Sequence, residues 1–397
     1  MWMIDCAGPF GGHNDTDRYA CARAEKYGDL PALRDFYQRR FREQFDAGRN
    51  AALHGHLHMI QAMHPRPWSS SRQLVARAAR GGHLEFVQWL RSVGCPWDAH
   101  ACSAAAASGS LALLEWIRRN GCLWGADAMA AAAKHGHLDV MQWMHANGCP
   151  WDGSVCTAAA SKGHLNVLMW LRANECPWDA ETCSAAAGSG HLDTLQWAVA
   201  NGCKCKASTL YDAADNGHLA VVQWLHARGV VPRKPQRITP VVRGHLEVIA
   251  WMHDQGYCCD EQTTNYAAMY RHLHIIEWAH GNGYPMQDTA VSYHAASNGD
   301  IEMLRWAASN GYPFGKSVCV HAAIGGHLKA LQWLVANGHP CNRQVCLHAA
   351  RNGHLAMLKW ALAHGCPPDP DMSQQAADHG HTNVVDWVRA NRHTSLA

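Results

Sequence analysis

The chain lacks an excess of either charge: 34 Lys and Arg stand against 32 Asp and Glu, a net charge of +2 over 397 residues. Such a balance gives no general attraction to nucleic acid or to an anionic membrane surface. No stretch approaches the roughly 18 consecutive apolar residues of a membrane span. The start, Met1-Trp2-Met3-Ile4-Asp5, has neither the basic residues nor the apolar run of a secretory signal, so a cytoplasmic protein free of membrane is expected. Walker, Gly-x-Ser-x-Gly, His-Glu-x-x-His and dinucleotide signatures are also missing. The chain is therefore not expected to be an enzyme or to hold a cofactor or metal.

What is present is repetition. Gly-His or a degenerate form of it recurs at His56, His83, His137, His164, His191, His218, His245, His327, His354 and His381. Asp29, Ser110, His272 and Asp300 fill the gaps, giving fourteen units spaced by 27 residues apart from one interval of 28. A period of that size builds stacked supersecondary units in place of one globular core. In the unit around His191, Asp179 is a candidate N-cap for an Ala-rich first helix, Gly188 and Gly190 break it, and Leu192, Leu195 and Val199 recur at helical spacing in a second helix. Asn201-Gly202 supplies the stop.

Intrachain comparison assigns the repeated positions. Ser110, Asp29 and Asp300 replace the marker His, and all three are good N-cap residues, so the His column is expected to cap the second helix. Trp occurs six residues after the marker in every unit from Trp89 to Trp387. Opposite first helices of Ala and Cys, these indoles are expected to fill the core. The 17 cysteines cannot all pair with one another, and most sit at repeat positions twelve or nineteen residues after the marker. They read as small buried thiols in a reducing compartment. His294, His321 and His348 share one position in three successive units. Helices packed roughly 8–10 Å apart hold them too far apart to share a zinc ion. His54, His56 and His58, and the pairs Cys203/Cys205 and Cys258/Cys259, lack paired Cys-x-x-Cys spacing and read as structural.

The Ala-Ala-x-x-Gly-His-Leu heart of the unit resembles the ankyrin repeat, as in Ala186-Ala187-Gly188-Ser189-Gly190-His191-Leu192. The resemblance covers about residues 20–390. The unit is shorter than the family's, and the shortfall lies where the family places its β-hairpin. Short, Trp-rich units of this kind are similar to ankyrin arrays of large DNA viruses of amoebae, which would place the protein in a host cytoplasm. The resemblance implies an all-α, ankyrin-type helical solenoid of about fourteen helix-turn-helix units with reduced or absent β-hairpins. It also implies a monomeric scaffold or adaptor that binds a protein partner along a concave groove.

The two positions before Gly-His vary between units while the frame does not. This singles out Lys134, His135, Ser161, Lys162, Asp215, Asn216, Val242, Arg243, Met269, Tyr270, Arg351 and Asn352 as candidate partner contacts. The alternative is a nucleic-acid or acidic-ligand binder using the basic segment 204–243, with Lys204, Lys206, Arg233, Lys234 and Arg237. That segment belongs to an irregular stretch, 230–272, in which Pro240 is expected to cause a loop or kink. The expected organisation is a flexible lead over 1–18, a continuous array over 19–393 and a short tail over 394–397.

Overall fold

The computed structural model describes residues 23, 26–29, 49–62, 72–231, 239–257, 261–284 and 289–391. The expected lead and tail lie outside them. Among the described residues there are twenty-six helices and no strand, so the described connections hold no β-hairpin. The chain divides into two compact units, Met1–Asp212 and Ala213–Ala397. Within each, helices alternate as short antiparallel pairs, one pair per sequence repeat.

The pair around His191 shows why these residues fold in this way. Asp179 is extended and its carboxylate accepts from the Glu181 amide, starting the helix Ala180–Gly188. Thr182, Cys183, Ala186 and Ala187 face inward and are buried. Small side chains there let neighbouring first helices approach closely. The second helix, Leu192–Ala200, buries Thr194, Leu195 and Ala198, so the core stripe is displaced from the expected Leu192/Leu195/Val199. Asn201 closes that helix by donating from its side chain to the Trp197 carbonyl at 2.8 Å. Gly202, at φ +90°, then lets the Cys203 amide bond the Ala198 carbonyl.

The expected role of the marker histidines is corrected. None of the described ones caps its helix through its side chain, whereas Ser110 accepts from the Leu113 amide and Asp300 from the Met303 amide. The imidazole reaches back one unit instead: His164 Nε2 meets the Lys134 carbonyl at 3.2 Å, His137 the Ala107 carbonyl at 3.1 Å and His272 the Val242 carbonyl at 2.8 Å. The ring satisfies a carbonyl left over at the end of the preceding first helix. On the way it lies over the preceding Gly, so that a Cβ built on Gly136 would meet the His164 ring at 2.8 Å. Gly and His thus form one contact between consecutive units.

The tryptophan assignment is corrected too. All twelve indoles from Trp89 to Trp387 are half-buried, beside the core and not in it. In the first unit Trp116, Trp143 and Trp170 pack edge-on against the loop indole of the preceding repeat, in Trp97/Trp116, Trp124/Trp143 and Trp151/Trp170, with centroids 5.7–5.8 Å apart. Arg91, Arg118 and Arg172 cover Trp97, Trp124 and Trp178 at 3.9–4.4 Å, and each donates to the carbonyl of the loop Cys. His145 takes the Arg place and stacks on Trp151 at 4.1 Å. In the second unit His226, His253 and His280 bond the hydroxyls of Tyr257, Tyr284 and Tyr312 and meet Trp251, Trp278 and Trp306 edge-on.

Most of the described cysteines are buried as expected, Cys205 and Cys341 being half-buried, but two pairs are bonded, Cys183 with Cys203 and Cys341 with Cys366. Each pair links a helix or loop to the next loop across 20 or 25 residues, because stacking superposes repeat positions. Other thiols are not bonded: Cys122, Cys149 and Cys176 donate to carbonyls of the preceding loop. Burial pushes Cys149 and Cys319 up to about 11. Pro240 is buried and lies within a helical segment, Thr239–Val242. The rest of the expected irregularity, residues 232–238, lies outside the described residues.

Candidate functional site

The first helices present their C-terminal turns to one face of each unit, and the variable positions before Gly-His sit on that face. In the first unit the helices Arg72–Arg80, Ala99–Ser108 and Ala126–His135 enclose a groove of about 900 Å³. Its floor is made of Ala76, Ala104, Ala107, Ala131 and Ser103, and its walls carry Arg72, Arg77, Arg80 and Lys134. The one carboxylate of the lining, Asp98, is already engaged, since it accepts from the His100 amide at 3.0 Å and lies 3.3 Å from the His100 imidazole. Burial, with the nearby charges of Arg80, His137 and Lys134, holds the His135 imidazole below its usual range.

Of the residues expected to contact a partner, the structure brings Lys134 and His135 into this groove. Lys162, one repeat on, is exposed, while Ser161 is half-buried and donates to the Ala158 carbonyl at 2.8 Å. In the second unit Asn216 accepts from Arg243, and Arg351 donates to His379 at 3.2 Å. Asn352 turns back to the His348 carbonyl, and Val242 and Asp215 are half-buried. Of the basic segment, Lys204 and Lys206 are exposed, and Arg233, Lys234 and Arg237 lie outside the described residues.

Met269 and Tyr270 are 46% and 43% exposed, and sequence reasoning missed their neighbours Tyr293 and Ile324, at 41% and 45%. These four side chains lie on or at the end of three successive first helices, Glu261–Met269, Ala290–Asn298 and Val318–Ile324. Arg72, Arg77, Arg80 and His100 were missed as well. Arg80 and Ile324 occupy the third position before His83 and His327, so the rule that found Lys134 reaches them when applied to every copy. Tyr293 gives no such signal.

Tyr293 packs against the His294 and His321 rings at 4.7 and 4.2 Å, and His294 bonds Asn265 at 2.9 Å. Burial holds His294, His321 and His348 below the usual histidine range. Among the described residues no three His, Cys, Asp or Glu side chains converge as metal ligands. None of the described helices is long and apolar enough to cross a membrane.

Stacked helix pairs with one variable face define an all-α helical-repeat protein. The family model of ankyrin repeats (many copies) matches residues 319–362, and the pairs on either side share that segment's 27-residue pattern. Among solved structures, the chain is similar to the pentatricopeptide repeat protein PPR10 in complex with an 18-nt psaJ RNA element. The identity is 13% and the TM-score 0.40, over 96% of this chain and 66% of that one. It is also similar to the human ASB11 ankyrin repeat domain, at 17% identity and TM-score 0.32, over 46% of this chain and 84% of that one. No curated protein matches the sequence.

Proposed function

We propose that the protein is a scaffold without chemistry of its own, which holds a protein partner against the face made by the ends of its first helices. The observation that carries this reading is the exposed apolar set Met269, Tyr270, Tyr293 and Ile324. Aromatic residues and Met are enriched in protein interfaces, and a few such anchors dominate affinity. The test is a pull-down from the native cell with wild-type chain and with Met269→Ser/Tyr270→Ser/Ile324→Ser. A nuclease-resistant protein partner kept by the wild type at high salt and lost by the variant is the expected result. Equal retention by both, or a partner released by nuclease, overturns the reading.

A cytoplasmic location fits the buried, high-pKa thiols Cys149 and Cys319, while the two bonded pairs oppose a reducing compartment. Non-reducing peptide mapping of protein alkylated in the cell decides: a Cys183–Cys203 linked peptide excludes the cytoplasmic assignment.

A further inference from the structure

We propose that the groove of the first unit binds an acidic, extended segment of a partner protein. This rests on the reading of the helix-end face as protein-binding, and it names the chemistry of one part of that face. Four cations, Arg72, Arg77, Arg80 and Lys134, line the groove, and Asp98 is the only acid among the lining residues. Among the described residues no hydrogen bond or ion pair engages the side chains of Arg77, Arg80 or Lys134. Elsewhere in the same unit four arginines are occupied: Arg91, Arg118 and Arg172 are held by loop carbonyls and indoles, and Arg119 by Glu115. Cations left unpaired in a concave site repel one another, and incoming carboxylates relieve that repulsion. Guanidinium groups can also grip a carboxylate through two parallel hydrogen bonds.

The floor decides between a peptide and a nucleic acid. Alanine and serine side chains let an extended backbone lie close to the helices. The lining holds no Trp, Tyr or Phe, and single-stranded nucleic acid is held by stacking its bases on such rings. Three first helices at about 8–10 Å spacing span roughly 16–20 Å. At about 3.3 Å per residue that length takes roughly six extended residues, with every second side chain directed at the cationic wall.

The experiment measures fluorescence anisotropy of the full chain with a labelled peptide of alternating Glu and Ser. The controls are the same peptide with Gln for Glu, and a single-stranded oligothymidylate competitor. At least tenfold tighter binding of the Glu peptide is expected. A further loss of about tenfold or more is expected in Arg77→Ala/Arg80→Ala/Lys134→Ala, whose unchanged circular dichroism and melting show that it is folded. Arg305→Ala/Lys329→Ala removes exposed cations from second helices of the other unit and should bind like wild type. Equal binding of the Gln peptide, retained affinity in the groove variant, or an equal loss in the control variant overturns the proposal. Stronger binding of the oligonucleotide than of the Glu peptide also overturns it, in favour of a nucleic-acid groove. The Met269→Ser/Tyr270→Ser/Ile324→Ser variant should still bind the Glu peptide. Absence of peptide binding beside an intact apolar-face interaction therefore sinks this inference alone, and the reverse pattern sinks the scaffold reading alone.

Discussion

The imidazole of one unit and the glycine of the preceding unit are a single contact, and the exceptions within the chain show it. Gly82 is followed one unit later by Ser110 in place of His, and a Cβ there would meet nothing nearer than Ser108 at 3.7 Å. Arg271 stands where a Gly is usual, at φ +65°, and the next marker is Asp300, whose carboxylate it meets at 3.3 Å. A side chain is therefore tolerated where no ring follows. Gly82→Ala is expected to cost only about 1–2 kcal/mol for the left-handed backbone. Gly136→Ala, whose Cβ would meet His164 at 2.8 Å, should lose about a further 1–3 kcal/mol through overpacking. Chemical denaturation compares them, and His164→Ser in the Gly136→Ala background should recover the excess. Equal losses at both glycines would mean that the ring has room to move aside.

The second helices divide their apolar residues between a core stripe and a half-buried aromatic ladder. Leu195 is fully buried, and Leu195→Ala should cost about 2–5 kcal/mol. Trp197 keeps part of its surface in water and meets Trp178 edge-on at 6.0 Å. Trp197→Ala should consequently fall below the roughly 3–5 kcal/mol of a fully enclosed indole. The second unit has its own ladder, built on hydrogen bonds, so Tyr257→Phe, which breaks a 3.0 Å bond to His226, should cost about 0.5–1.5 kcal/mol. Urea midpoints of the three variants give the order; a Trp197→Ala loss above that of a fully enclosed indole would return the Trp column to the core.

At the scale of the whole molecule, histidine chemistry should make stability depend on pH. Burial holds His245, His294, His321, His339, His348 and His354 below their usual range. The unfolded chain then takes up protons first, near the ordinary value of about 6.5, while the folded chain resists them. Stability is therefore complete above that value and is lost as pH falls from it toward the depressed folded values. Melting points measured from neutral pH to about pH 5 should fall, and His321→Gln should flatten the fall. The His321 ring faces Tyr293, Ser317 and His348, none of which is a carboxylate that would reverse the sign. A melting point that rises on acidification contradicts this account.

The sequence by itself determined the repeat length, the helix-turn-helix unit, the Asp and Gly termini and the family resemblance. Each of those rests on bonds between residues a few positions apart, such as Asp179 with Glu181 or Cys203 with Ala198. It also singled out Lys134, His135, Met269 and Tyr270 as candidate contacts, because a varying position inside a fixed frame is visible without coordinates. Only the tertiary structure decided what the marker His does, since its partner lies 30 residues away in the preceding unit. The same holds for the half-exposed indoles and for the bonded pairs Cys183/Cys203 and Cys341/Cys366. The groove, too, exists only once three first helices lie side by side and bring Arg72, Arg77 and Arg80 to face Lys134. A periodic sequence states which positions are equivalent; the packing of one unit on the next decides which of them touch.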